Sequence, residues 1–282
     1  MKYLLSAALI MAGTAVMAAE PPMPADPHAD HHPPPVADQT EEPPAPTDHA
    51  ADRVFGPGAM DASRMRVHEE HGGDRYDKVM INLAEYTAVR GHDGYRWEGE
   101  AWYGGDIDRA VLKSEGEGVF KEGVEHAEIQ ALYSHAIARY FDMQVGLRHD
   151  FGPTPSRTYA AVGFEGLSPY WFELEGTAFL SQKGEVLARF TASYDQLITQ
   201  RLALQPRIEV NFAAQNTAAT GVGSGLSEAE VGLRLRYEIN RQFAPYVGVS
   251  YNGKAGKTAD YARAAGERVS GVSAVIGLRA WF

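Results

Sequence analysis

Six of the ten histidines in this chain fall in one stretch that has no core to serve: His28, His31, His32, His49, His68 and His71. Met23, Met60 and Met65 are interspersed with them. Imidazole nitrogen suits borderline ions such as Cu(II), Ni(II) and Zn(II), whereas thioether sulfur suits Cu(I). The run His28-Ala29-Asp30-His31-His32 places three imidazoles within five residues of a pliable backbone. There is no cysteine, so thiolate sites and disulfides are excluded, and a metal must rely on histidine, methionine and carboxylate. The competing interpretation is a solvated spacer with incidental histidines. Spacing alone does not select the metal.

Other chemistry is weaker. His92-Asp93 and His149-Asp150 would suit a hydrolase, but neighbours on a strand point to opposite faces. No serine-nucleophile motif accompanies them, so the chain is not expected to be an enzyme. A formal charge of -11 argues against nucleic acid, whose phosphates need clustered Lys and Arg.

These residues sit in a chain with three textures. Residues 1–19 form an export signal: Lys2 gives a positive start, Tyr3 to Met11 an apolar core, and Ala12 to Ala19 small residues for cleavage. Residues 20–73 form a His-, Met- and Pro-rich arm, with prolines from Pro21 to Pro46. Each proline removes a backbone donor and restricts its neighbour. With few apolar residues to offset ordering entropy, the arm is expected to be disordered and, after export, periplasmic.

From residue 74 to Phe282 the pattern has a period of two, the strand signature. Leu202, Leu204, Ile208, Val210 and Phe212 share one face, while Arg201, Gln205, Arg207, Glu209 and Asn211 share the other. Glu228 to Ile239 repeats this alternation. A soluble sandwich alternates too, but buries its apolar face. Several features favour the inverted arrangement, an all-β antiparallel transmembrane β-barrel. About twelve strands fit from Lys78 onward, an even number that returns both ends to one side. Tight turns are expected near Gly105-Asp106, Tyr140 to Asp142, Ser168-Pro169, Gln196 to Thr199 and Asn240 to Gln242. Longer outer loops are expected at Val89 to Gly94, Gly118 to Glu125, Gln215 to Gly225 and Ala255 to Gly266. Trp97, Tyr103, Tyr170, Trp171, Phe243 and Tyr246 are placed to form interface girdles against outer-membrane lipid. The chain stops on an apolar-alternating strand ending in Phe282.

If the apolar face points outward, the lumen receives Arg96, Glu98, Glu100, Lys113, Glu115, Glu128, Arg148, Glu165, Glu175, Arg189, Arg207, Glu209 and Arg234. Such groups can cross-pair and fill the bore, or line it as an acidic path for cations. Met80 is expected to point inward beside Asn82 and is the one barrel residue put forward as a metal ligand. Met143 and His149 share parity with Val145 and Leu147 and should face lipid or the rim.

Several stretches carry a family resemblance: Arg96-Trp97-Glu98-Gly99-Glu100-Ala101-Trp102, Tyr140-Phe141-Asp142-Met143-Gln144-Val145-Gly146, and Gly163-Phe164-Glu165-Gly166-Leu167-Ser168-Pro169-Tyr170. Gly223-Ser224-Gly225-Leu226-Ser227, Phe243-Ala244-Pro245-Tyr246 and Lys257-Thr258-Ala259-Asp260 continue it in order. Across Arg75 to Phe282 the chain resembles the copper resistance protein B family of the bacterial outer membrane. The resemblance implies a copper-responsive barrel with a variable Met/His-rich arm, copper ions as cargo, and a periplasmic multicopper oxidase as an associated partner. The function it implies is sequestration of periplasmic copper, with export through the bore as a further role. The rival is a general porin or structural barrel with a flexible tether.

Overall fold

A computed structural model describes residues 49–71, 74–89, 92–152 and 155–282. The expected signal peptide and most of the expected arm, and with them Met23, His28, His31 and His32, lie outside the described residues.

The arm's last part departs from the expected absence of regular structure. Asp52–Phe55 (α1) and Pro57–His71 (α2) are helical. The proline-rich run stops at Pro46, and Pro57 sits at the first helical position, where its missing N–H costs nothing. Ala59, Met60, Ala62, Arg64, Met65 and Arg66 then supply good helix formers. Gly56 between the two helices takes φ +81°, which glycine adopts without strain.

Thirteen strands follow: β1 Tyr76–Val89, β2 His92–Gly104, β3 Asp108–Val119, β4 Gly123–Ala138, β5 Phe141–Phe151, β6 Arg157–Ser168, β7 Phe172–Ser181, β8 Val186–Ser193, β9 Gln196–Leu197, β10 Leu202–Ala213, β11 Gly225–Tyr237, β12 Phe243–Lys254 and β13 Ser270–Trp281. β9 is a short pairing inside a turn; the other twelve form a closed antiparallel ring. Closure runs through β1 and β13, in register from Met80 opposite Trp281 to Ala88 opposite Ala274. Phe282 completes the seam: its N–H donates to the Val79 carbonyl at 2.9 Å, and the Val79 N–H donates to its carbonyl at 3.1 Å.

The pattern is inside out. Val231, Leu233, Leu235 and Tyr237 are exposed on the outer wall, while Arg234 and Arg236 between them are 1 % and 5 % exposed. An apolar outside and a charged inside are stable only if the outside faces lipid. Pro206 lies within β10 where β8 has ended and β9 has not paired, so no ladder bond needs its missing N–H.

Both chain ends of the barrel lie at one rim, the terminal rim. Two expected outer loops at the opposite rim are tight turns instead. Val89 connects to His92 through residues 90–91, and Val119 connects to Gly123 through Phe120 to Glu122. Here β2, β3 and β4 extend because Trp97 and Tyr95 lie against Gly116 and Gly118, where a Cβ would come within 2.3 Å and 2.7 Å of their rings. Among the described residues, 214–224 and 255–269 make the long connections at this rim. The latter contains the helix Gly256–Ala265 (α3), whose Thr258 hydroxyl accepts from the Gly223 N–H at 2.8 Å, joining the two loops. Of the expected girdle aromatics, Tyr103, Tyr170, Trp171 and Phe243 are exposed, but Tyr246 is buried at 4 %. It shares the inward parity of Ala244 and Ser250 and cannot serve as a girdle residue.

Candidate functional site

The lumen gathers the charged side chains that twelve strands point inward, and its ion pairs run across it. Arg96 on β2 pairs with Glu230 on β11 and with Glu209 on β10 at 3.4 Å. Arg207 on β10 returns to Glu98 on β2 at 2.8 Å. Going round the ring from β2 to β10 passes β1, β13, β12 and β11, so these bonds join opposite walls. Arg189 on β8 reaches Glu115 on β3 and Glu128 on β4, the latter at 2.9 Å. Arg234 donates to Glu85 on β1 at 2.6 and 3.2 Å. Arg148 holds Glu128 and Asp150, each at 2.6 Å. The expected cross-pairing is therefore present, and it runs between opposite walls of the lumen.

One wall is not polar. Val111, Leu132, Tyr159, Ala161 and Phe179 form a buried apolar cluster on the inner face of β3, β4, β6 and β7. The Arg148 guanidinium lies over the Phe179 ring at 4.6 Å and the Tyr159 ring at 5.2 Å, a cation–π contact that anchors it while it bridges two carboxylates. Reading each strand as apolar-out, polar-in conceals this wall. The signal was the short run of apolar residues at inward parity.

Toward the terminal rim a cavity of about 310 Å³ opens below the ion pairs. Met80, Glu100, Glu165, Glu173 and Glu175 line it. The cation that three of these carboxylates share is Lys113, at 2.7 Å from Glu165, 2.9 Å from Glu175 and 3.9 Å from Glu100. Gln144 donates to Glu165 at 3.0 Å and Ser193 to Glu173 at 2.9 Å. Glu98, Arg207 and Arg279 line the cup too, so five carboxylates face three cations including Lys113, a modest formal excess of negative charge, which attracts cations. Met80 points inward as expected, with its Sδ 4.0 Å from Nη2 of Arg279. A register shift between Ile81 and Leu83 lets Met80 and then Leu83 and Glu85 face the lumen.

The other proposed ligands are on the arm. His49 precedes α1 and is exposed; Met60, Met65 and His68 lie on α2, and His71 ends it. Met65 and His68 are three residues apart, so they neighbour one another on the helix surface.

Met143 and His149 face outward, as parity required. His149 Nδ1 meets the Thr158 hydroxyl at 2.8 Å, whereas Asp150 points inward to Arg148, so they form no dyad. His135 on the outer face near the terminal rim hydrogen-bonds Asp108 at 2.8 Å, and Asp108 also accepts from Tyr133.

Comparison with known proteins agrees with this reading. The family model described as copper resistance protein B precursor matches residues 75–282. A copper resistance protein B homolog of Pseudomonas syringae pv. tomato is 44% identical over 232 residues, covering 80% of this chain and 79% of the relative. Copper resistance protein B of Escherichia coli is 41% identical over 269 residues, covering 92% of this chain and 90% of the relative. Among solved structures, a NanC porin aligns with a TM-score of 0.48 at 13% identity, over 73% of this chain and 99% of the porin. A KdgM porin aligns at 0.45 and 10%, with the same coverage. A match over the whole barrel, together with two relatives above forty per cent identity, establishes that this chain belongs to the copper resistance protein B family.

Proposed function

We propose that this protein binds copper at the outer membrane, gathering periplasmic ions on its N-terminal arm and admitting them to the barrel lumen at the terminal rim. Family membership ties the chain to copper resistance. The observation that carries the finer reading is the glutamate-lined cavity with a thioether in its wall, at the rim where β1 begins. Carboxylates concentrate cations there, and Met80 adds the one donor type that discriminates for Cu(I). His28, His31, His32, His49, His68 and His71, with Met23, Met60 and Met65, supply the arm's ligands. The barrel anchors this arm in the membrane, with the terminal rim facing the periplasm.

A general porin is the less favoured reading, because Arg96, Arg189 and Arg207 tie opposite walls together across the space that sugars would have to cross. The protein performs no catalysis in this account. Outward passage of copper and handover to a periplasmic multicopper oxidase both extend the same reading. Removing residues 20–73 should lower copper binding and copper tolerance of the host cell. Unchanged tolerance with the barrel still assembled would eliminate the capture role.

A further inference from the structure

Toward the opposite rim, the lumen wall holds a second group of donors, two of them members of the ion pairs, that neither the arm nor the Met80 cavity includes. His126 and Glu128 on β4 and Asp150 on β5 each offer a ligand atom, and these atoms all lie within 4.8 Å of one another. The sheet register explains the convergence. His126 and Glu128 are two residues apart on one strand and so share a face. Glu128 stands directly opposite Asp150 across the β4–β5 ladder. Glu117 is the cross-strand neighbour of His126 on β3, and Glu115 that of Glu128.

Charge favours a cation at this point. Glu115, Glu117, Glu128 and Asp150 face two guanidinium groups, Arg148 and Arg189, which hold Glu128 and Asp150 at 2.6 to 2.9 Å. Those ion pairs, with Arg189 also on Glu115, fix the carboxylates in place; four carboxylates against two guanidinium groups leave surplus negative charge next to the imidazole, and a bound ion would take over oxygens that the guanidinium groups now hold. Gln130, next inward on the same face of β4, gives its N–H to Glu128 at 2.7 Å. Its buried carbonyl oxygen has no hydrogen-bond partner among the described residues. One imidazole and two carboxylates, with no sulfur, are a donor set for a borderline divalent ion rather than for Cu(I).

We propose that His126, Glu128 and Asp150 form a Cu(II)-class divalent-cation site in the lumen, separate from the Met80 cavity. This deepens the copper reading given above, on which the identity of the ion rests. The lumen then has two stations of different chemistry, a thioether and carboxylate cup at one rim and an imidazole and carboxylate site toward the other.

The test is anomalous diffraction at the copper edge on crystals of the full-length protein soaked in a Cu(II) salt, paired with Cu(II) titration of the same protein in detergent. The expected result is a peak about 2 Å from a His126 ring nitrogen and a Glu128 or Asp150 oxygen. His126→Ala should abolish that peak and remove one equivalent of bound Cu(II). His126 makes no ion pair that holds the barrel walls, so the variant should still migrate as a folded barrel in unheated gels. Copper peaks elsewhere with none here, or an unchanged number of equivalents in His126→Ala, would overturn the proposal. A variant lacking the arm histidines separates the two readings. It should lose arm-bound copper yet keep the lumen peak, and a peak that persists while arm-bound copper is unaffected would count against the capture reading alone.

Discussion

Replacing Arg189 with methionine removes the cation that ties β8 to β3, β4 and β10. Its guanidinium donates to Glu128 at 2.9 and 3.1 Å and to Glu115, and lies 3.7 Å from Glu209. Methionine keeps most of the stem's packing near Phe179 but leaves three carboxylates facing one another, one of them fully buried. Removing one partner of a buried pair costs about 3–5 kcal/mol. Arg148 still holds Glu128, and Arg207 and Arg96 still hold Glu209, which places the expected loss near the lower end, about 3 kcal/mol. Glu115 depends on Arg189 most, so adding Glu115→Gln should recover part of it, with a coupling of about 0.5–3 kcal/mol. Urea unfolding of the detergent-folded protein, followed by tryptophan fluorescence, measures both. In planar bilayers the single variant should conduct more than the parent and prefer potassium over chloride, because the charge it leaves behind is negative. A variant within about 0.5 kcal/mol of the parent, with unchanged conductance, would show that these ion pairs neither brace the walls nor close the bore.

Other expectations follow from the same geometry. Met80→Leu keeps volume but removes the thioether, and should weaken Cu(I) binding several-fold in competition with a chromophoric chelator while leaving Cu(II) binding unchanged; equal Cu(I) affinity would remove Met80 from the ligand set. Changing His28, His31, His32, His49, His68 and His71 to alanine together should cut Cu(II) equivalents and lower the copper concentration at which host cells stop growing. Deleting Phe282 removes both of its hydrogen bonds to Val79 at the closing seam, each worth about 1 kcal/mol, so the heat-shifted, folded form in membrane fractions should fall. Liposome swelling with neutral sugars should be negligible for the parent protein, and brisk swelling would favour the porin reading.

How much of this was legible in the residues depends on which rule governs each part. Period-two alternation was enough for the twelve strands and for the inward parity of Arg96, Arg189, Arg207 and Glu209, because a membrane barrel leaves a side chain only two directions. Parity also placed Met80, Met143 and His149 correctly. It could not say which inward groups meet across the bore, since Arg96 and Glu230 are 134 residues apart and pair only once the ring closes. Turn length was misjudged at Val119 to Gly123, where glycine and aromatic packing prolongs the strands. Tyr246 departs from the expected girdle because an aromatic near a strand end meets lipid only at outward parity, and Tyr246 shares the inward parity of Ala244 and Ser250. The helix Pro57–His71 was missed by extending the proline-rich character of the arm past its last clustered proline. His126 has no companion ligand legible in its own stretch of sequence; the register that sets Glu128 against Asp150 supplies them.

The most direct test of the central claim is a metal titration of the folded full-length protein with Cu(I), Cu(II), Zn(II) and Ni(II) in parallel. Cu(II) outcompetes Zn(II) and Ni(II) at almost any nitrogen and oxygen site, so the diagnostic ion is Cu(I). The account expects tight Cu(I) binding that weakens in Met80→Leu, together with Cu(II) binding that falls when the arm histidines are replaced. No Cu(I) binding, with Zn(II) held as well as Cu(II), would contradict it.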